Sequence, residues 1–158
     1  MTIATAVSAA ATDAPVAADR SATGSKVMVI DDSTTIRRSA EIFLAHTGCQ
    51  VILAEDGYEA LAKIADHRPD LIFCDILMPR LDGYQTCALI KQSPRFRGTP
   101  VVMLSSRDGL FDRARGLMVG SDEYLTKPFT KDSLLRAVRQ YLKLPASEPP
   151  PSPAALTP

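Results

Sequence analysis

The chain has 158 residues, the size of one domain or of one small domain with tails. Its 18 Lys and Arg residues balance 18 Asp and Glu residues, and this zero net charge argues against a nucleic-acid groove or a polybasic membrane anchor as its main feature. The hydrophobic fraction of 46% is enough for a globular core, no apolar run is long enough to span a membrane, and the three cysteines suit a reducing compartment. We therefore expect a cytoplasmic protein.

The two ends of the chain differ in composition from its middle. Nine of the first 25 residues are Ala, and six of the fourteen residues from 145 to 158 are Pro. These compositions predict a disordered leader over 1–25 and a proline-rich disordered tail over 145–158. They leave open a docking helix in the leader and a proline-binding partner for the tail. The single globular domain is expected over 26–144.

Apolar patterning predicts the first elements of this domain. Residues 26–30 form a short apolar run that is typical of a buried strand. A helix opens at Ser33, where a hydroxyl can cap its first turn, and it ends at Gly48. A second strand follows over 50–54 and a second helix over 58–66.

The same alternation continues to the end of the domain. The remaining elements are expected as a strand over 70–74, a helix over 83–92 capped by Asp82, a strand over 100–104, a helix over 109–119, a strand over 123–126 and a helix from Thr130 to Leu142. Five strands that alternate with five helices predict an α/β fold in which a doubly wound, five-stranded parallel sheet is covered on both faces.

Polar side chains follow four of the five strands. They are Asp31 and Asp32, Asp75, Ser105 and Ser106, and Lys127 with Pro128. In an open parallel sheet these strand ends meet at one edge, where ligands bind. Clustered carboxylates repel each other, a divalent cation relieves that repulsion, and oxygen ligands suit Mg²⁺. The cluster therefore predicts phosphoryl chemistry with a metal, a carboxylate nucleophile and a nearby cation.

Other chemistries fit the sequence less well. No glycine-rich run closes in Gly-Lys-Ser/Thr, so a P-loop is excluded, and the turn after the first strand lacks the glycines of a dinucleotide fingerprint. An aspartyl phosphatase usually has a second acid two positions after its nucleophile, where this chain has Leu77. The three cysteines, Cys49, Cys74 and Cys87, lack metal-ligand spacing and are expected as buried thiols.

Taken together, these segments resemble the receiver domain of two-component response regulators, a flavodoxin-like fold. The resemblance spans about 26–144 and is carried by VMVIDDS at 27–33, DILMPRLDG at 75–83, LSS at 104–106 and YLTKPF at 124–129. Further segments are similar to the stand-alone receivers of the chemosensory systems that control twitching motility by type IV pili. They are IRR at 36–38, ALAKIAD at 60–66, GYQTCALIK at 83–91, DGLFD at 108–112 and GSD at 120–122.

The resemblance implies a role for each site residue. Asp75 would accept a phosphoryl group from a histidine kinase, and Asp31, Asp32, Asp75 and the backbone carbonyl of Leu77 would hold Mg²⁺, Asp31 mostly through water. Ser105 and Lys127 would each bind a phosphoryl oxygen, with the Lys127–Pro128 peptide bond in the cis form. Tyr124 would rotate as Ser105 shifts, which would alter the surface formed by helix 4, strand 5 and helix 5.

The resemblance also implies partners. The chain would take its phosphoryl group from a histidine kinase, pass the signal to a motility or pilus-regulating protein, and be recruited to the cell pole. The tail after residue 144 is too short and too rich in proline for a DNA-binding unit, so no nucleic-acid partner is expected. Weak pairing of two copies stays open. The alternatives are a phosphorylation-independent scaffold, a flagellar-type chemotaxis receiver and an enzyme of phosphate metabolism on the same sheet topology.

One residue departs from the common receiver pattern. Many receivers carry a polar group two positions after the phosphoacceptor, where it orients the hydrolytic water, but here that position is Leu77. Leu cannot hydrogen-bond to water through its side chain. The sequence therefore predicts slow self-dephosphorylation and a long-lived signal.

Overall fold

The structure, a computed structural model, describes residues 24–106 and 110–142. Its strands are β1 (Lys26–Ile30), β2 (Gln50–Ala54), β3 (Leu71–Asp75), β4 (Val101–Ser105) and β5 (Glu123–Thr126). Its helices are α1 (Thr34–Ala45), α2 (Gly57–His67), α3 (Gly83–Gln92), α4 (Leu110–Met118) and α5 (Lys131–Tyr141). The alternation of strands and helices predicted from the sequence is confirmed.

The five strands form one parallel sheet in the order β2-β1-β3-β4-β5. The strand order reverses between β1 and β3, which pair with each other from Val27 with Leu71 to Ile30 with Cys74. A crevice opens at such a switch point, outside the carboxyl ends of the strands. The topology therefore places the ends of β1 and β3 side by side.

Alternate side chains of the sheet point into two separate hydrophobic clusters. On one face, Ile52, Ile72 and Met103 pack with residues of α2 and α3. On the other face, Val29 and Phe73 pack with residues of α1 and α5. Because both faces are covered, β1, β3 and β4 are continuous apolar runs in the sequence rather than alternating ones.

Side-chain caps set several helix starts. Ser33, Asp82 and Thr130 each accept a hydrogen bond from the first turn of their helix, as the sequence predicted for the first two. The last helix begins one residue after Thr130, which is its cap, and α2 begins at Gly57 because the Asp56 carboxylate caps it. The first helix ends earlier than expected, with His46 as its C-cap.

The predicted ends of the chain lie mostly beyond the residues that the structure describes. The disordered leader and tail, and the domain boundary at residue 144, lie outside the described residues, apart from residues 24 and 25 of the leader. Within the described ranges, no helix combines the length and the apolar character needed to cross a membrane. The three cysteines are buried and free, as predicted.

Gly83 holds the first turn of α3 against the end of β3. Its amide donates a 2.9 Å hydrogen bond to the carbonyl of Ile76, and a Cβ at this position would lie 2.7 Å from the Ile76 Cα and overlap the Asp75 carbonyl oxygen. These neighbours are backbone atoms, which cannot move aside as a side chain can. Only glycine allows α3 to approach this closely.

We therefore expect Gly83→Ala to lower the free energy of unfolding by about 2–3 kcal/mol, because the added methyl group forces the backbone of β3 and α3 apart. Urea denaturation measures this change. The matched control is Gly98→Ala, since a Cβ there meets no atom within 4 Å and the change should stay within about 0.5 kcal/mol. Equal losses in the two variants would contradict this view of the α3 contact.

Candidate functional site

Two buried carboxylates lie at the switch point of the sheet. Asp31 directly follows β1 and is fully buried, and Asp75 is the last residue of β3 and only 4% exposed. Asp32, next to them, is exposed to solvent. One carboxylate oxygen from each residue lies within 4.8 Å of one from each of the others. The structure thus brings together the three acidic residues that the sequence predicted to meet.

Lys127 bridges the two buried carboxylates. Its Nζ lies 2.6 Å from Oδ2 of Asp31 and 2.9 Å from Oδ1 of Asp75, so one ammonium donates hydrogen bonds to both. Lys127 follows β5, and its amide donates a 2.6 Å hydrogen bond to the Ser105 carbonyl at the end of β4. The expected cis peptide bond between Lys127 and Pro128 is present.

Burial and neighbouring charges shift the pKa values of Asp75 and Lys127. Burial raises the pKa of Asp75 to about 6, the hydrogen bond from Lys127 opposes that rise, and the charges of Asp31 and Asp32 add to it. Burial lowers the pKa of Lys127, but its hydrogen bonds to Asp31 and Asp75 outweigh burial and raise this pKa overall. Three carboxylates against one ammonium leave the pocket with an excess of negative charge.

Asp31 is fixed by the turn between β1 and α1. Its Oδ1 accepts a 2.9 Å hydrogen bond from the amide of Ser33, whose hydroxyl in turn caps α1. Its carbonyl oxygen accepts a 2.6 Å hydrogen bond from Nη1 of Arg37. A turn built in this way holds one carboxylate inside the protein and leaves the next one, Asp32, in solvent.

Ser105 and Tyr124 lie on the two strands beside this cluster. Ser105 ends β4 and is 3% exposed, and it pairs in register with Thr126 of β5. Tyr124, two positions earlier on β5, is half-buried, and the guanidinium of Arg113 lies 5.0 Å from the centre of its ring. Ser105 and Tyr124, which the resemblance expects to move together, are therefore close in register, at the side of the sheet next to α4.

A cleft of about 490 Å³ opens beside the acidic cluster. It is lined by Asp32, Leu77, Asp82, Tyr84, Ser105 and Arg115, together with Ile76, Met78 and Pro79. The Leu77 side chain is 57% exposed there. The sequence analysis predicted Leu77 at this edge but not Tyr84 or Arg115, because these two residues lie on different helices, α3 and α4, and meet only in the folded chain.

An ion pair between two loops also escaped the sequence analysis. Nη2 of Arg80 donates a 2.8 Å hydrogen bond to Oδ2 of Asp56, across 24 residues of chain. Arg80 adopts a left-handed backbone conformation with φ of 69°. The pair holds the loop after β3, which includes Leu77, against the cap of α2. A local sequence pattern does not reveal such a contact, since its two halves lie on different βα units.

Part of the predicted motif set is not tested by the structure. Residues 107–109 lie outside the described ranges, and nothing is described of the side chains of 110–112. The DGLFD segment at 108–112 therefore remains a sequence-based resemblance.

The parallel sheet with an acidic cluster at its switch point is matched by a comparison with protein families. The family model described as "Response regulator receiver domain" matches residues 27–139, most of the chain. The chain belongs to the response regulator receiver family. It is a signalling regulator of that family.

The chain is also similar to individual proteins. It is 66% identical to "Protein PilG" of Pseudomonas aeruginosa over an alignment of 119 residues, and this alignment covers 75% of this chain and 88% of that protein. It is 40% identical over 122 residues to "Response regulator MprA" of Mycobacterium tuberculosis, and it spans only about half the length of that relative, 50%. The structure of chemotaxis response regulator CheY4 of Vibrio cholerae superposes with a TM-score of 0.71 at 33% identity, covering 75% of this chain and 99% of that one.

The bridging role of Lys127 leads to a stability prediction. We expect Lys127→Met to lower the free energy of unfolding by about 3 kcal/mol in a buffer that contains a chelator, because it leaves two buried carboxylates without their cation. Urea denaturation measures the loss. Lys131→Met, at the exposed start of α5, is the matched control and should change stability by less than about 0.5 kcal/mol.

A double-mutant cycle with Asp75→Asn separates the bridge from the loss of the Lys127 stem. The cost of Lys127→Met should fall by more than about 1 kcal/mol in the Asp75→Asn background, since one of the two orphaned charges is then absent. Purely additive effects would show that the Lys127–Asp75 contact contributes nothing to stability.

Proposed function

We propose that the chain is a phosphorylation-controlled switch in which Asp75 accepts a phosphoryl group from a histidine kinase. The observation that carries this proposal is the double hydrogen bond of Lys127 to Asp31 and Asp75. It holds a carboxylate nucleophile and a cation together beside a cleft, which is the arrangement that phosphoryl transfer needs.

The donor set fits Mg²⁺. Three carboxylates supply hard oxygen ligands within 4.8 Å of one another. Burial raises the pKa of Asp75 despite its hydrogen bond from Lys127, and the charges of Asp31 and Asp32 add to that rise, so a further cation there would be stabilised. We propose that Asp31, Asp32, Asp75 and the Leu77 carbonyl hold the ion, with Asp31 acting mostly through water. When bound, Mg²⁺ would neutralise charge on the phosphoryl oxygens.

In the proposed transfer, the phosphoryl group passes from a phosphohistidine of the kinase to Asp75. A carboxylate oxygen of Asp75 attacks the phosphorus, an O–P bond forms, and the P–N bond of the phosphohistidine breaks with its electron pair on the imidazole nitrogen. Lys127 then pairs with one phosphoryl oxygen, and the Ser105 hydroxyl donates a hydrogen bond to another. The new group adds negative charge and acceptor oxygens, which draw both side chains toward it.

The surface that reads this change is proposed to be the face of α4, β5 and α5. Tyr124 on β5 and Arg113 on α4 line a groove of about 590 Å³ there, with Leu117 and Glu123. Leu117 is 70% exposed and Met118 is 85% exposed, and two adjacent apolar side chains in solvent are suited to contact a partner protein. A shift of Ser105 that lets Tyr124 turn would change the shape of this groove.

We propose that the output is control of twitching motility by type IV pili, through a motility or pilus-regulating protein in the cytoplasm or at the cell pole. The support is the pilus-type motif set of the sequence and the 66% identity to Protein PilG. A flagellar-type chemotaxis receiver is the second candidate, favoured by the structural similarity to CheY4. A scaffold that works without phosphorylation would not need the bridged Asp75.

Replacing the phosphoacceptor tests the chemistry. With Mg²⁺ and acetyl phosphate, the wild-type protein should gain the mass of one phosphoryl group, and Asp75→Ala should gain none, because the attacking oxygen is gone. Intact-protein mass spectrometry measures this. Asp66→Ala removes an exposed carboxylate on α2 and serves as the control that should label like wild type. Labelling of Asp75→Ala would overturn the assignment.

The lifetime of the phosphorylated form provides a second test. Leu77→Asn should accelerate phosphate release several-fold, since an amide in the cleft can orient the attacking water and the exposed Leu77 side chain cannot. Phosphate release after removal of the donor measures the rate. Leu89→Asn makes the same substitution at an exposed position of α3 and should leave the rate unchanged. An unchanged rate in Leu77→Asn would count against the slow-release prediction.

A further inference from the structure

Arg115 of α4 lies over the ring of Tyr84 in the wall of the cleft. Its Cζ is 4.4 Å from the ring centre, and both residues line the same cavity as Asp32 and Ser105. Tyr84 is only 4% exposed, whereas Arg115 is exposed. A buried ring on α3 therefore holds a solvent-facing cation from α4 at the entrance to the acidic site.

The negative charge of the cleft suggests a role for the Arg115 guanidinium. A phosphodonor is an anion, and the cleft it must enter is lined by Asp32 and Asp82 and borders the buried Asp75. Lys127 is already bonded to Asp31 and Asp75. Among the described residues that line the cleft, Arg115 is the one cation. Within the described part of this lining, Arg115 is thus the group that offsets the negative charge of Asp32 and Asp82 for an incoming phosphoryl group.

The stacking on Tyr84 suits a guanidinium better than an ammonium. A planar guanidinium attracted to the face of a ring keeps its N–H groups in its own plane, where they can still bind phosphoryl oxygens. The ring also restricts the side chain, so less conformational entropy is lost when an anion binds.

We propose that Arg115, held by Tyr84, is a positioning residue that receives the anionic oxygens of the phosphodonor at the outer side of the cleft. This inference rests on the proposed phosphoacceptor function of Asp75. Arg115 takes no part in bond making. It raises the local concentration of the anion and orients it toward Asp75, while Lys127 serves the inner side.

The first test is phosphorylation by acetyl phosphate with saturating Mg²⁺. Arg115→Ala should lower the rate constant of labelling roughly fivefold at low ionic strength, because one favourable charge contact with the donor is lost. This deficit should disappear in about 1 M salt, where the screening length is only about 3 Å. A deficit that is independent of salt, or no deficit at all, would overturn the proposal.

The second test measures Mg²⁺ binding without any donor, by isothermal titration calorimetry. Arg115→Ala should bind Mg²⁺ more tightly than wild type, since it removes a positive charge from the cleft that the ion enters. General damage to the site would weaken both donor reaction and Mg²⁺ binding. Weaker or equal Mg²⁺ binding in the variant would therefore contradict the proposal.

Conservative variants and a control complete the design. Tyr84→Phe keeps the ring and should label like wild type, whereas Tyr84→Leu should reproduce the salt-dependent deficit of Arg115→Ala. Arg97→Ala removes an exposed arginine in the loop after α3, outside the cleft, and should have no effect. If the wild-type protein is phosphorylated on Asp75 and Arg115→Ala is phosphorylated at the same rate, this inference fails while the proposed function stands. If the wild-type protein is not phosphorylated, the proposed function fails.

Discussion

The hydrogen bonds of Lys127 to Asp31 and Asp75 are the interaction on which the rest of the site depends. Two carboxylates that are almost fully buried within reach of each other would be very unfavourable without a cation between them. The sheet supplies the cation from β5, two strands away from β3, by anchoring the Lys127 amide to Ser105 at the end of β4. The order of the strands is thus inseparable from the chemistry at their ends.

Lys127 neutralises only part of the negative charge of the three carboxylates, and the remaining charge lets the site bind a further cation. One ammonium does not neutralise three carboxylates. Burial raises the pKa of Asp75 to about 6 despite its hydrogen bond from Lys127, and the charges of Asp31 and Asp32 add to that rise. The site accordingly favours the arrival of further positive charge. In the proposed function that charge is a divalent cation, and Arg115 provides an outer cation for the phosphodonor. The two cations differ in setting, since Lys127 is largely buried and Arg115 faces solvent on the ring of Tyr84.

Much of the fold follows from local signals in the sequence. The apolar runs and caps placed all ten elements, because buried parallel strands and capped helices have local patterns. An element boundary differs from the prediction where contacts with a neighbouring strand determine it. Strand β3 extends to Asp75 because that residue pairs with Leu104 of β4 in the sheet. The contacts of Arg80 with Asp56 and of Arg115 with Tyr84 could not be predicted, since they depend on how separate βα units pack. The roles of the site residues came from the family resemblance, because a local pattern shows which side chains meet but not what each does.

In the proposed switch, a phosphoryl group at Asp75 is sensed through Lys127 and Ser105 and read at the face of α4, β5 and α5. Amide NMR spectra with Mg²⁺ alone and with Mg²⁺ plus fluoroberyllate, a mimic of the phosphoryl group, test it most directly. We expect large shifts at Lys127 and Ser105 that extend to Tyr124 and Leu117. Shifts confined to the immediate surroundings of Asp75, with an unchanged α4–β5 face, would contradict it.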